Sequence, residues 1–401
     1  MARVRLSRNF RLLWAATALS NTGDGLRLIA LPLLATSVTT DPRLIAGVAV
    51  AERLPWLLFI LPGGAWADRL DRRQLRMRLD AARAIVMFVL VGFIATDQVS
   101  IIVIYAIAIL LASAEAVVDS SSMALVPSMV DESELERAGG LLSSTELVTN
   151  GLVGPPLGGL LFGLAMMVPF IIDAVSFAGA ALIMVFVTGT YSTSEVGVAR
   201  GSMTHDIVEG FRWLWRRRLL RNLAIVSTAL GTVSFIGGAI FVLFARETLG
   251  LSNFGFGLLL VPGAIGGIAG SMLAPRLTNL PLRVVLSVAT VISGLATCIT
   301  SALSAPVLVG LLSVFDTAAV LVWNVLTIAL RQRVVPNHLL GRVGASYRFL
   351  VYVGMPVGAL AGGFIAKDFG IRTTLAISGI GLTMIGMAIP FLLRDQVAVY
   401  D

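Results

Sequence analysis

The sequence is poor in charged residues, in cysteine and in histidine. Charged residues make up 13% of its 401 residues, whereas soluble proteins have roughly a quarter. Hydrophobic residues make up 57%, and this balance excludes a soluble globular protein. One cysteine, Cys298, excludes an internal disulfide, and two histidines, His205 and His338, offer no Cys/His cluster for a metal ion. We therefore expect neither a metal site nor a cofactor.

The sequence consists largely of long apolar stretches. About 20 apolar residues cross the hydrocarbon core of a bilayer as one helix. Stretches of this length predict an all-α integral membrane fold with twelve transmembrane helices in two six-helix halves. We expect an N-terminal half at 1–189, a cytosolic linker at 190–219 and a C-terminal half at 220–401. The predicted spans are 12–38, 44–67, 80–96, 99–126, 138–164, 167–189, 220–245, 254–275, 283–303, 306–330, 345–366 and 373–393.

Basic residues indicate the orientation of these spans. Most of them, including the run from Arg69 to Arg83, fall in alternate loops, and cytosolic loops of membrane proteins are rich in arginine and lysine. The opposite loops hold only Arg43, Arg246, Lys367 and Arg372. This asymmetry predicts that both termini are cytosolic. It also explains the net charge of +7 without a nucleic-acid partner.

The linker contains apolar and basic residues at helical spacing. Phe211 and Trp215 alternate with Arg212 and Arg216. Such a pattern predicts a short amphipathic helix on the anionic inner leaflet of the membrane. A linker whose charge only enforces topology is the alternative.

The loop after the second predicted span combines a glycine, acids and arginines at a defined spacing. Asp68 and Arg72 lie one helical turn apart, so they can join a charge network with nearby helix ends. The pattern resembles the signature between helices two and three of the major facilitator superfamily. The residues that carry the resemblance are Gly64, Asp68, Arg69, Arg72 and Arg73, with Asp71 where many members have glycine.

The resemblance implies a role for this loop as an inner gate. In that superfamily the aspartate and arginine join an acid near the cytosolic end of helix four and the start of helix eleven, and they hold the gate shut. Asp119 fits the acid by position. A basic loop that only sets topology is the alternative interpretation.

The fifth predicted span resembles the antiporter motif that exporters of the superfamily carry. Small residues let helices touch, and prolines bend a helix because they lack a backbone donor. Asn150 stands where the longer motif usually has glycine. A structural kink unrelated to transport direction is the alternative. The motif residues are Gly154, Pro155, Pro156, Gly158 and Gly159.

The two halves repeat one another. Residues 154–158 and 354–358 both contain a glycine, a proline and a glycine at the same spacing. Repeated halves place a substrate site between them near the membrane midplane. Pro336, Gly341 and Arg342, together with Asp24, resemble the branch of macrolide-type and siderophore exporters.

Ionisable residues inside the predicted spans are candidates for proton coupling. Each costs about 2.5 to 3.5 kcal/mol in hydrocarbon on insertion scales, so each needs a partner or a use. Asp24 has Arg27 three residues on, on the same helix face, and Glu115 shares a face with Asp119. We name Asp24, Glu115 and Glu52 as proton-coupling candidates, and structural ion pairs are the alternative. Asp173 and Asp316 are weaker candidates.

Other residues are candidates for lining the substrate cavity. Arg53 is adjacent to Glu52 and must point in another direction, so it seeks a partner on another helix. Trp323 is the aromatic candidate, with packing as its alternative role. The full set of candidate cavity residues is Arg27, Arg53, Asp316, Trp323 and Asn324.

These patterns together predict a secondary active transporter of a bacterial cytoplasmic membrane. It exports amphipathic drugs or metabolites by alternating access, coupled to protons. Its expected partners are the small-molecule substrate, protons and the lipid bilayer, and it is expected to act as a monomer. A dedicated exporter of one endogenous product, such as a siderophore, would share these motifs. An intramembrane enzyme would need a nucleophile with its base, a metal cluster or paired acids facing a cavity, and only Glu115 and Asp119 resemble such a set. We therefore predict that the protein is not an enzyme.

Overall fold

A computed structural model describes residues 6–59, 71–189, 191, 203–336 and 339–393. Helices make up almost all of these residues, so the prediction of an all-α fold is confirmed. Two π-helical segments interrupt the helices, at Leu147–Val153 and Phe244–Thr248. The long helices are α1 Arg8–Val38, α2 Pro42–Phe59, α3 Arg72–Ala95, α4 Ile101–Leu125, α5 Leu135–Glu146, α6 Gly154–Leu164, α7 Val168–Val185, α8 Met203–Arg216, α9 Arg218–Gly238, α10 Asn253–Leu273, α11 Leu282–Ala302, α12 Pro306–Val334, α13 Leu340–Phe369 and α14 Ile371–Leu392.

Within the described ranges, nine helices are long and apolar enough to cross a membrane. One of these nine joins α5, the first π-helical segment and α6 into a single span. The first three helices, α1, α2 and α3, fall outside this set, and each carries acidic and arginine side chains in its interior. Charges therefore concentrate in the first three helices of the chain.

Two compact units divide the chain. The first comprises Met1–Val38 and Pro55–Ala199, and the second comprises Thr39–Leu54 and Arg200–Asp401. The units differ from the predicted halves at Thr39–Leu54, because the beginning of α2 packs on α13 within the second unit. A Cβ added to Gly363 of α13 would lie 2.9 Å from the Cβ of Ala46. Glycine is thus required for this close contact.

Charged residues reinforce the contact between α2 and α13. The Lys367 ammonium lies 3.8 Å from the Asp41 carboxylate, and the Arg43 guanidinium lies 5.9 Å from the ring centre of Phe364. Hydrogen bonds from the Arg43 side chain hold the pKa of Asp41 at about 2. Asp41 therefore stays ionised at physiological pH.

The third helix begins eight residues earlier than predicted. Asp71 caps α3, because its carboxylate accepts hydrogen bonds from the backbone N–H groups of Arg73 and Gln74. Arg76 and Arg83 consequently lie inside the helix, and each is only 1% exposed. Their assignment to a solvated basic loop is wrong, because both guanidiniums find polar partners on other helices.

The fifth predicted span is a broken helix. The π-helical segment Leu147–Val153 separates α5 from α6, and the Gly154 N–H reaches back to the carbonyl oxygen of Thr149. Pro155 and Pro156 follow directly and lack N–H donors, so a regular α-helical ladder cannot pass through them. A π-helical turn thus precedes the two prolines, and the bend expected at them stays a prediction.

The linker between the halves contains the predicted helix, α8. Leu214 is fully buried, and a Cβ on Gly210 would lie 2.6 Å from the carbonyl oxygen of Arg342 in α13. Glu209 pairs with the Arg342 side chain at the edge of this contact. Trp215 on the other side of α8 is 45% exposed. Contact of α8 with the inner leaflet stays a prediction.

Candidate functional site

The predicted gate motif lies partly in the described residues. Gly64, Asp68 and Arg69 lie outside them, and the predicted gate stays a prediction. Arg73 donates hydrogen bonds to the carbonyl oxygens of Met184 and Val185, which belong to the last turn of α7. Arg73 therefore adds side-chain donors to the carbonyl oxygens at the negative end of α7.

Two other residues of the predicted gate lie on described helices. Arg72 is the first residue of α3, and Asp119 lies in the last two turns of α4. The side chain of Asp119 forms no ion pair within four ångströms among the described residues. Its neighbour one turn earlier on α4, Glu115, belongs to the charge cluster below.

The antiporter-like motif forms the contact between α6 and α1. A Cβ on Gly154 would lie 2.5 Å from the Cα of Gly25, and one on Gly158 would lie 2.2 Å from the carbonyl oxygen of Leu26. These distances leave no room for a side chain. Pro156 and Gly159 are buried beside them and Pro155 is half-buried.

The second unit repeats this contact, as the sequence repeat predicts. Gly354 and Gly358 of α13 face α9, where a Cβ on Gly358 would meet the carbonyl oxygen of Thr232. Pro356 is buried between the two glycines. In each unit, a glycine-proline-glycine segment thus packs on the first helix of its sequence half.

The first unit holds a cluster of buried charged side chains, which we call the buried charge cluster. It draws on α1, α3, α4 and α7, and its three arginines face four carboxyl groups. Its members are Asp24, Arg27, Arg76, Asp80, Arg83, Glu115 and Asp173.

Asp24 lies at the centre of this cluster. Its Oδ1 atom accepts hydrogen bonds from Arg27 Nη2 and from Arg83 Nη2, each at 2.6 Å. The expected contact between Asp24 and Arg27 is therefore present, and a second arginine joins it. The Arg83 guanidinium also lies 3.8 Å from the ring centre of Phe177 in α7. Asp24 is thus the cluster acid with two charge-assisted hydrogen bonds from arginines.

Arg27 connects Asp24 to two further acids. Its Nη2 atom lies 3.1 Å from Glu115 Oε2, and its Nε atom lies 3.4 Å from Asp173 Oδ2. The Glu115 side chain is 18% exposed, whereas Asp173 is fully buried. Neither carboxylate oxygen of Asp173 accepts a hydrogen bond from any described residue. Asp173 is thus the cluster acid with the weakest support for a negative charge.

Sequence analysis missed three members of the cluster, all in α3. Asp80 lies between Arg76 and Arg83, with nitrogen to oxygen distances of 3.4 and 3.5 Å. Arg76 also donates hydrogen bonds to the hydroxyls of Thr17 and Ser122. Their spacing of four and three residues places all three on one helix face, a signal that was available once the segment was considered helical.

The second unit brings two of the three candidate cavity residues of α12 to one cavity. Trp323 and Asn324 lie on its wall, and Asp316 accepts a hydrogen bond from the hydroxyl of Ser293, which also lines it. Arg53 of α2 stacks over another lining residue, Phe235, at 5.8 Å. Sequence analysis did not single out Arg331, Ser227 or Phe235 for this cavity.

Solved structures with the same architecture are transporters. The nucleoside transporter NupG aligns with a TM-score of 0.74 and 13% identity, over 96% of this chain and 99% of that protein. A bacterial homologue of the iron transporter ferroportin, solved in its inward-facing state, aligns with a TM-score of 0.71 and 16% identity, over 96% and 98%. These likenesses establish that the chain has the fold of these solved proteins.

Sequence comparison assigns the family. Residues 4–398 match the transmembrane secretion effector family of the major facilitator superfamily, and the chain belongs to that family. The multidrug efflux pump Tap of Mycolicibacterium fortuitum is 26% identical over 403 residues, covering 96% of this chain and 95% of the pump. Tap of Mycobacterium tuberculosis H37Rv is also 26% identical, over 94% of this chain and 91% of the pump. The resemblance to the superfamily is confirmed, and the protein is a multi-pass membrane transporter rather than an enzyme.

Proposed function

We propose that the protein exports amphipathic small molecules in exchange for protons, by alternating access. The similarity to the multidrug efflux pump Tap along nearly the whole chain supports the direction and the breadth of substrates. The antiporter-like motif supports the same direction. Its glycines allow α6 and α1 to pack closely. Alternating access requires this packing either to stay intact or to form again after each change of conformation.

The buried charge cluster is the observation that carries the coupling to protons. Four carboxyl groups share one buried site with three guanidiniums, so complete ionisation would leave an excess negative charge in a medium of low dielectric constant. Neighbouring carboxylates under these conditions keep a proton between them. One exchangeable proton neutralises the cluster.

Asp173 and Glu115 are the acids that share this proton. Asp24 accepts hydrogen bonds from two arginines and Asp80 lies between two arginines, so each of these acids has two cationic neighbours. Asp173 lacks a hydrogen-bond donor from the described residues, and Glu115 is the cluster acid that reaches solvent. Arg27 contacts both acids. It therefore pairs with whichever of the two is ionised, and it changes partner when the proton moves from one acid to the other.

Everted membrane vesicles from a transporter-depleted host test this proposal. The vesicles are energised so that their interior is acidic, and a pH-sensitive dye reports proton release when each compound of a drug and metabolite panel is added. The parental protein should release protons with at least one compound. Asp173→Asn and Glu115→Gln should abolish that release while substrate binding persists.

An exposed acid of the same unit provides the control. Asp131 lies outside the cluster on the surface, so Asp131→Asn should release protons as the parental protein does. Unchanged proton release in both cluster variants, at matched protein levels, would remove these acids from the mechanism. Transport that ignores the proton gradient for every compound would refute the coupling itself.

A further inference from the structure

The second unit contains a cavity of about 280 Å³. Its walls come from α9, α11, α12, α13 and α14, so it lies wholly within one unit. Trp323 and Arg331 lie on the same wall, eight residues apart along α12, which places them about 12 Å apart along the helix axis. The lining residues are Ser227, Leu230, Gly231, Ser234, Phe235, Ala289, Thr290, Ser293, Ala319, Val320, Trp323, Asn324, Thr327, Arg331, Tyr347, Val351, Met355 and Leu382.

The wall of this cavity carries a cationic group. Arg331 is the one charged side chain among the described residues that line it. The Arg331 Nε atom donates a hydrogen bond to the carbonyl oxygen of Thr327, at 3.2 Å, and the guanidinium stacks 4.0 Å from the ring centre of Tyr347. The two Nη groups have no hydrogen-bond partner among the described residues. They are available to a ligand.

The wall around Arg331 is fixed in place. The Tyr347 hydroxyl is hydrogen-bonded to the hydroxyl of Ser227 at 2.5 Å, and Tyr347 itself is only 5% exposed. The Tyr347 ring and the Thr327 carbonyl oxygen therefore both contact the guanidinium and restrict it. A planar guanidinium held in this way presents two parallel N–H donors, which match a carboxylate or a sulfonate.

The rest of the cavity is apolar, with scattered hydroxyls. Phe235, Trp323 and Met355 provide large apolar surfaces along its length. The nearby acid Asp316 does not line the cavity, and the Ser293 hydroxyl donates its hydrogen bond to that acid. No described carboxylate thus reaches the cavity to attract a cation.

We infer that this cavity binds an amphipathic organic anion, with its acidic group on Arg331 and its apolar body along α12. An anion gains charge-assisted hydrogen bonds there, whereas a cation of the same shape meets a like charge. The inference names the substrate class of the exporter and so rests on the proposed function. Binding and export are nevertheless measured separately.

Binding of three matched probes to the full chain in phosphatidylcholine nanodiscs tests the inference. The probes are tritiated 6-(2-naphthyl)hexanoate, 6-(2-naphthyl)hexanamide and 6-(2-naphthyl)hexylammonium, which share an apolar body and differ in charge. Empty nanodiscs correct for partition into lipid. The carboxylate should bind about tenfold tighter than the amide, the scale of one charge-assisted hydrogen bond, and the ammonium should bind weakest.

Variants of two arginines on α12 test whether Arg331 causes the preference for the carboxylate. Arg331→Gln should bind the carboxylate and the amide equally. Arg331→Lys should keep part of the preference for the carboxylate, because lysine retains the positive charge but lacks the two parallel N–H donors of the guanidinium. Arg333, two residues further on the same helix, is exposed, so Arg333→Gln should keep the parental preference. Size-exclusion profiles establish that each variant is folded.

Probe binding to the parental protein is by itself sufficient to overturn the inference. Amide or ammonium binding as tight as carboxylate binding, or no saturable carboxylate binding, would refute it even when Arg331→Gln fails to fold. A folded Arg331→Gln variant that keeps the preference would also refute it. These measurements use no gradient, so a failure of proton-driven export would leave a positive binding result intact and would count only against the proposed function.

Discussion

At the scale of single residues, two buried aspartates of the first unit have very different support. Asp24 accepts hydrogen bonds from two arginines, whereas Asp173 accepts none from the described residues. Both are almost completely buried, and asparagine has nearly the same shape as aspartate. The same substitution at the two positions therefore compares a well-supported negative charge with a poorly supported one.

We expect Asp24→Asn to destabilise the protein far more than Asp173→Asn does. Removing one partner of a buried ion pair costs about 3 to 5 kcal/mol, because the other charge is left uncompensated. Asp173→Asn removes no hydrogen bond from a described donor and leaves Arg27 in contact with Asp24 and Glu115, so it should cost much less. Heating each purified variant and following the loss of monodisperse protein measures the difference.

The exposed Asp131→Asn variant sets the baseline for this comparison. Equal loss of thermal stability in the Asp24 and Asp173 variants would contradict the assignment of Asp24 as the central anion. A more stable Asp24 variant would do the same.

Spacing along one helix predicted part of this cluster. Asp24 and Arg27 lie three residues apart, and that distance suffices to place them on one face. The role of Asp80 could not be found in this way, because arginines around it had been used as markers of a cytosolic loop. Burial of Arg76 depends on Thr17 and Ser122, which only the tertiary fold brings together.

At the scale of helices, glycines determine how closely two elements approach. The contact of α6 with α1 leaves 2.2 Å between a Cβ on Gly158 and the carbonyl oxygen of Leu26. Real Cβ atoms do not come so close to a backbone atom, and backbone cannot move aside as a flexible side chain can. Even one methyl group must therefore push the two helices apart.

We expect Gly158→Ala to lower export severalfold, and Gly158→Leu to lower it further while much of the substrate binding remains. The added carbon disturbs a contact between helices rather than a cavity wall. Efflux from loaded cells, normalised to the amount of protein in the membrane, measures the effect.

A second glycine on the preceding helix provides a matched control. A Cβ on Gly140 of α5 meets no atom within 4 Å, so Gly140→Ala should export at the parental rate. Equal rates for the Gly140 and Gly158 variants would show that the contact between α6 and α1 has no part in transport.

The sequence alone predicted a bend in this span but not its π-helical turn. The prolines remove two donors, and that much follows from their chemistry. The π-helical turn Leu147–Val153 brings the Thr149 carbonyl oxygen against α1, where a Cβ on Gly25 would lie 2.4 Å from it. Such a turn results from packing between helices and has no local sequence signature.

At the scale of the whole molecule, hydropathy predicted the fold because most spans are apolar throughout. It was least accurate in α3, where charged residues continue well into the helix. The repeat of glycines at residues 154–158 and 354–358 correctly indicated equivalent contacts in the two units. Packing of Thr39–Leu54 within the second unit has no counterpart in the repeat, because it depends on a contact between α2 and α13.

The direction of transport is a property of the whole molecule and its coupled gradients, because the same helices can support import or export. For one-for-one exchange, an outside-acid gradient of about one pH unit supports about a tenfold outward gradient of substrate, because both correspond to about 1.4 kcal/mol. We expect cells that contain the parental protein to hold less of the panel compound with the strongest proton release than cells that contain Gly158→Leu. Clamping the membrane potential with potassium and valinomycin isolates the contribution of the pH gradient. Dissipating the pH gradient should then bring the two cell types to equal substrate content. Net accumulation in the parental cells under the same outside-acid gradient would instead identify an importer, whatever the glycine variant does.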